Sequence, residues 1–190
     1  MRILVILFLL GCSFVCKSET LQFMGIPFGS DSREFSSHLI KNNFKWITAT
    51  SNNQDSIYKA ELEGDFWKIS DCTVYLYSYH FDTFKKTYPI DVVWVLLPTR
   101  SISDQRIESK EKSLELYKEL VKDFILKYGN YTSESEDYGD YTVNWLLPSG
   151  TINVRFLRPT GTLRIEYTGE KRVKELAEKK RFKGRGLNDL

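Results

Sequence analysis

YTVNWLLPSGTINVRFLRPTGTLRIEYT, from Tyr141 to Thr168, reads as three strands joined by two turns. Apolar and polar residues alternate through Tyr141–Leu147, Thr151–Leu157 and Thr162–Thr168, the period of a strand with one buried and one wet face. Pro148-Ser149-Gly150 and Arg158-Pro159-Thr160-Gly161 supply the turns between them. Ile152, Val154 and Phe156 point one way, with Asn153 and Arg155 opposite; Leu163, Ile165 and Tyr167 match them beside Arg164 and Glu166. The segment is a three-stranded antiparallel meander.

The helix before it is the strongest in the chain. Over Glu108–Tyr128, Leu114, Tyr117, Leu120, Val121, Phe124, Ile125 and Tyr128 recur at helical spacing with charges between them, and Gly129 is placed as a C-cap. The N-terminal half has the same layout. Asp31-Ser32-Arg33-Glu34 carries part of a capping box, and Phe35, Leu39 and Ile40 share a helix face that ends at Asn42-Asn43. Strands are expected over Phe44–Thr50, Ile57–Glu63, Thr73–Tyr79 and Ile90–Leu97. In the last of these, Val92-Val93-Trp94-Val95-Leu96-Leu97 loses alternation, which predicts a central strand covered on both faces. Leu21–Gly29 reads as a short edge strand. The expectation is one α+β domain over residues 19–169, built of two helix-then-antiparallel-meander units with no convincing residue identity between them. Residues 170–190 follow as a basic, charged C-terminal helix or tail, in which a solvated tail is favoured.

The first 18 residues have the form of a secretory signal peptide. Arg2 precedes an apolar run from Ile3 that continues through Val15, about 13 residues against the roughly 20 that span a bilayer. Two cleavage sites compete. Cys16 and Ser18 are small residues placed for a cut before Glu19, which leaves a soluble chain. Leu9-Leu10-Gly11-Cys12 resembles a bacterial lipobox, which makes Cys12 an acylated first residue and tethers the protein by lipid. The apolar Ser13-Phe14-Val15 after Cys12 favours the soluble form. Either way the expectation is export to the periplasm or beyond, with any membrane attachment through a lipid anchor alone.

Cysteines and charges follow from that cut. Removal of residues 1–18 takes away Cys12 and Cys16, so Cys72 remains as a lone thiol and no intramolecular disulfide can form. A chain of this size buries about 70% of its unfolded surface, enough to hold a domain on its core. The full chain has 27 basic and 25 acidic residues; without Arg2 and Lys17 the two are equal. Eight basic and four acidic residues fall in 170–190, which leaves the body acidic. A basic terminus without a basic, aromatic face excludes nucleic-acid binding.

Catalytic patterns are sparse. Cys72, His38 and His80 are the ordinary nucleophile and base candidates, yet no cysteine-enzyme signature surrounds Cys72, and a small buried cysteine at a strand entry is the better reading. The histidines lack HxH or HExxH spacing, so neither a metal nor another cofactor is expected. Asp65 and Asp71 bracket Phe66-Trp67, and Glu134, Glu136, Asp137 and Asp140 form a second acidic set. Paired carboxylates in a cleft make a glycan or peptide hydrolase the alternative function, although the second set reads as a solvated mobile loop.

Aromatic residues point elsewhere. They make up 14% of the chain, and Tyr75, Tyr77 and Tyr79 lie on one side of one strand. Such a row either packs as core or forms a platform for sugars or a protein partner, and with Trp67 these residues are the candidate binding site. Two motifs gain meaning from export. Asp55-Ser56-Ile57 resembles a periplasmic O-glycosylation acceptor at Ser56, and Asn130-Tyr131-Thr132 is an N-glycosylation sequon.

Phe23-Met24-Gly25-Ile26-Pro27, followed by Glu34-Phe35 and a helix, resembles the opening of small exported proteins of gut Bacteroidetes. Leu62-Glu63-Gly64-Asp65-Phe66-Trp67 with Asp71-Cys72-Thr73-Val74 is similar to their G-x-F and D-C-x-V stretch, with Lys68 where that pattern often has glycine. Tyr117 to Tyr128-Gly129 resembles their second helix, which ends in K-Y-G. The likeness covers residues 21–130 and implies an uncharacterised envelope protein, with no activity or catalytic residue to carry over. The functional expectation is a non-enzymatic binding protein of the bacterial envelope, of the inhibitor or accessory type, with a protein or glycan partner.

Overall fold

The computed structural model describes residues 21–52, 57–97 and 106–185. The signal segment, Cys12, Cys16 and Ser56 lie outside these residues. Thirteen elements follow in order. A two-stranded hairpin of β1 (Gln22–Phe23) and β2 (Ile26–Pro27) leads into α1 (Ser32–Lys41), then β3 (Lys45–Asn52), β4 (Ile57–Phe66), β5 (Ile69–Ser78) and β6 (Val92–Leu96). After α2 (Arg106–Tyr128) come β7 (Ser133–Asp137), β8 (Asp140–Leu147), β9 (Gly150–Leu157), β10 (Thr162–Gly169) and α3 (Glu170–Arg185).

The fold is α+β, with a large antiparallel sheet of eight strands in the order β3-β4-β5-β6-β10-β9-β8-β7. Two four-strand meanders meet where β6 pairs with β10, from Val92 opposite Thr168 to Leu96 opposite Arg164. β6 is central, as the unbroken apolar run predicts. Burial alternates along β9 and along β10 as far as Tyr167, as the pattern predicts, whereas Gly150 opens β9 instead of closing the turn and Thr168 is buried.

Local chemistry sets the element ends. The Asp31 carboxylate accepts the Arg33 N–H at 2.7 Å and caps α1. Asn43, at φ 67°, takes the left-handed conformation that asparagine tolerates, and α1 stops there. The Gly129 N–H donates to the Ile125 carbonyl at 2.9 Å with φ 82°, closing α2. One expectation needs correction. The acidic stretch expected as a mobile loop contains β7, all five residues of which are exposed; it pairs with β8 through a Tyr138-Gly139 turn with both φ values positive. Of the helix or tail expected after Gly169, residues Glu170–Arg185 take the helical form as α3, with Lys174 paired to Glu170 one turn back.

One sheet face carries the core. Phe35 and Leu39 of α1 and Leu120 of α2 are fully buried against it with Leu62, Val74, Leu76, Val154 and Ile165. Phe23 acts as the plug, with its ring 5.5 Å from Phe66, 6.4 Å from Phe35 and 5.3 Å from Tyr167. The fully buried Trp145 packs on Phe124 and donates its indole N–H to the Gly129 carbonyl at 2.8 Å, so α2 is pinned to β8.

Gly150 sits where β9 passes the end of β10. Its φ is 147°, and a Cβ there would lie 2.2 Å from the Thr168 carbonyl oxygen. Gly150→Ala is expected to cost at least about 2 kcal/mol by chemical denaturation. A midpoint close to wild type would show that the two strands do not approach this closely.

Candidate functional site

The second sheet face is built by register. Neighbours across a ladder share a face, so one row runs from Thr48 and Glu61 through Tyr75 to Trp94, and onward from Glu166 through Asn153 and Asn144 to Ser133. A second row sets Lys59 beside Tyr77, Val92 and Thr168. A third sets Thr73 beside Leu96, Arg164 and Arg155. Val74 and Leu76 alternate with the tyrosines and point into the core.

Four aromatic rings of this face have a cation over them, Tyr77 the most distantly, with Lys59 Nζ at 5.9 Å. Lys59 Nζ lies 4.4 Å from the Tyr75 centroid, the Arg164 guanidinium 5.1 Å from Trp94, and the Arg172 guanidinium 3.8 Å from Tyr79. Tyr77 packs between, 4.9 Å from Trp94 and 6.3 Å from both Tyr75 and Tyr79. These residues are half-buried. Burial, with Tyr79 and Tyr75 as lesser causes, pushes the Tyr77 hydroxyl up to about 12; burial likewise raises Tyr75 and Tyr79. All three are neutral hydroxyl donors at physiological pH.

Sequence adjacency misplaced Trp67. It forms the β4–β5 turn at φ 58°, a conformation a bulky side chain rarely adopts. There its indole N–H donates to Asp123 of α2 at 2.8 Å, and Lys68 reaches Asp123 and Glu119 at 3.5 and 3.6 Å. Trp67 therefore clamps the hairpin to α2, on the helix side of the sheet, apart from the tyrosine row. The sequence reading also left out Trp94, Lys59, Arg164 and Arg172. The break that Trp94 makes in a run of valines was the available signal.

The residues named for a hydrolase do not converge. Cys72 is fully buried at one end of β5, donates to the Ile69 carbonyl at 3.5 Å, and is pushed up to about 11 by burial. His80 lies beyond the other end of that strand, on the order of 25 Å away along it. His38 contacts the Met24 carbonyl at 3.0 Å. His80 faces a cleft of about 400 Å3, where its Nδ1 is 3.0 Å from Asp91 Oδ2 without hydrogen-bond alignment and its Nε2 is 2.8 Å from Lys171 Nζ. Burial raises Asp91, whose carboxylate accepts the Tyr79 N–H at 3.0 Å. Of the acidic set, Asp140 holds Arg155 at 3.1 Å and Glu134 accepts the Tyr131 hydroxyl at 2.6 Å. Among the described residues no cluster suited to a metal occurs, and no helix is long and apolar enough to cross a membrane. No family model, curated protein or solved structure matches the chain.

Two outcomes follow. A thiol reagent added to native protein should label Cys72 only as fast as the chain unfolds; rapid labelling would show an open, reactive thiol. In alkaline titration Tyr77 should stay protonated until about pH 12. Its folded pKa lies above the unfolded value of about 10, so its stabilising contribution is full below about pH 10 and is lost as pH rises toward 12. Tyrosinate absorbance read with and without Tyr77→Phe checks this.

Proposed function

We propose that this is an exported, non-enzymatic binding protein of the bacterial cell envelope that grips a protein partner with the open face of its sheet. The observation that carries the reading is the cluster of Tyr75, Tyr77, Tyr79 and Trp94 interleaved with Lys59, Arg164 and Arg172 on a face opposite the core. Tyr, Trp and Arg are the residue types that dominate protein interfaces. Cations already lie over Tyr75, Trp94 and Tyr79, which favours a protein over a sugar that needs bare rings.

The chain order supports a duplicated plan. α1 precedes β3 to β6, α2 precedes β7 to β10, and the sheet order reads outward from β6 and β10 in mirrored sequence. We read the domain as two helix-then-meander units, as the sequence pattern suggests. Export rests on residues 1–18, with cleavage before Glu19 or acylation at Cys12, and the likeness to exported proteins of gut Bacteroidetes points to the same compartment.

The test is retention of a partner from envelope extract on immobilised protein. Tyr77→Ala and Trp94→Ala are each expected to weaken retention by about thirtyfold or more, the scale of an interface hot spot. Their melting temperatures should fall less than that of the core variant Trp145→Ala. A loss for Tyr77→Ala as large as for Trp145→Ala would make the tyrosine row a packing device and sink the reading.

A further inference from the structure

The connection from β5 to β6 displays an aromatic residue that nothing covers. Phe84 is 99% exposed, in the turn Thr83-Phe84-Lys85-Lys86. The turn is braced from below. Asp82 and Thr87 exchange both backbone hydrogen bonds, at 2.8 and 3.2 Å, and Asp82 Oδ1 accepts the Phe84 and Lys85 N–H groups at 3.0 Å each. Under that bridge Phe81 packs on Tyr88 at 4.9 Å, and Tyr88 on Tyr58 of β4 at 5.4 Å. A phenylalanine held in water forgoes the free energy of burial. Here a fixed turn presents it, with the exposed Lys85 and Lys86 directly after it.

The same end of the sheet receives the chain from its N-terminal segment. Leu21 lies against Gly150, the first residue of β9, 2.9 Å from where a Cβ on that glycine would sit. The Leu21 carbonyl accepts the Phe28 N–H at 3.2 Å, and Phe28 and Gly29 line one cleft with His80, Asp82 and Gly169. β9 begins here, β5 and β10 end here, and Tyr138, also 99% exposed, marks the opposite end. α3 begins here too, with exposed Lys171 and Lys174; Lys171 Nζ lies 2.8 Å from His80 Nε2. Cys12, the residue acylated in the lipobox reading, stands nine residues before Leu21. Nine residues span at most about 30 Å, so an acyl chain on Cys12 keeps this end within that distance of a bilayer.

We infer that this end of the sheet meets an anionic phospholipid surface, with Phe84 entering the acyl boundary and Lys85 and Lys86 on the headgroups; the inference rests on the reading of the chain as an envelope protein. An apolar ring followed directly by two cations matches the layered chemistry of a bilayer interface, apolar within and negative at the headgroups. One ring and two cations are a weak anchor alone. The contact therefore orients a tethered protein more than it holds a free one. The strands then run away from the bilayer, and the face that carries Tyr75, Tyr77 and Trp94 looks along it, clear for a partner.

The experiment puts an environment-sensitive dye on exported, processed protein at Thr83→Cys, beside Phe84, or at Tyr138→Cys, at the opposite end. Each variant also carries Cys16→Ser, so that the other free thiol is the buried Cys72. Vesicles of phosphatidylethanolamine with phosphatidylglycerol should brighten the dye at position 83, and a nitroxide-labelled lipid should quench it, with the dye at position 138 unchanged. Phe84→Ser should shift the docking equilibrium about tenfold toward the undocked state, and Lys85→Gln with Lys86→Gln about thirtyfold. Vesicles of phosphatidylcholine alone should match the loss seen with the double lysine variant. All three side chains are exposed, so melting temperatures should stay at the wild-type value. An unchanged dye at position 83, an equal response at position 138, or docking indifferent to Phe84→Ser overturns the inference. A silent vesicle assay in which Phe84→Ser lowers retention of a partner from envelope extract overturns it in favour of a protein pocket. The assay needs no partner, so its failure leaves the capture experiment standing, and failed capture with a docked turn removes the partner reading alone.

Discussion

Val92–Leu96 of β6 and Arg164–Thr168 of β10 exchange the backbone hydrogen bonds that turn two meanders into one sheet. Without that ladder each meander would end in an unpaired strand, and the Val-rich β6 would be an edge of the kind that pairs promiscuously. The ladder also brings each meander's burial pattern into phase with the other. Val93 and Val95 fall in line with Tyr167 and Ile165 on the core face, and Trp94 and Leu96 with Glu166 and Arg164 on the other. A slip of one residue would send Trp94 into the core and Val95 out.

α1, α2 and the small N-terminal hairpin depend on this sidedness, whereas α3 lays Arg172 over Tyr79 on the other face. α2 reaches both halves, through Trp67 at the β4–β5 turn and through Trp145 of β8. Phe23 fills the space among α1, β4 and β10. These contacts lie on one side, which leaves the tyrosine and arginine rows facing away from the core. The two sheet edges differ. β7 carries Glu134, Glu136 and Asp137, a charged border that discourages edge pairing, whereas β3 carries exposed Trp46 and Ile47 beside a register shift.

What was legible in the sequence was whatever repeats with a period. The alternation of Tyr141–Thr168 fixes three strands and their faces, and the Val92–Leu97 run marks a centre. β7 had no such mark, because every residue of Ser-Glu-Ser-Glu-Asp is exposed and its strand character comes from hydrogen bonds to β8. Tyr75, Tyr77 and Tyr79 could be grouped by their spacing alone. Joining them to Trp94 and Arg164 requires the register of two ladders, one of which links strands about 70 residues apart, and no local pattern encodes that. Trp67 failed for the converse reason: proximity in sequence to the tyrosine strand says nothing about a two-residue turn that folds onto a helix.

The β6–β10 ladder also imposes an order of events. Its two strands are separated in the chain by α2 and an entire meander, so closing it costs loop entropy that each hairpin avoids. Each meander can pair locally, but the surface that combines Tyr77 and Trp94 with Arg164 and Arg155 does not exist until β10 arrives. The aromatic and cationic cluster is therefore not assembled until the sheet closes. The face appears only with the last strand of the sheet, and Arg172 settles over Tyr79 only with α3, which follows it.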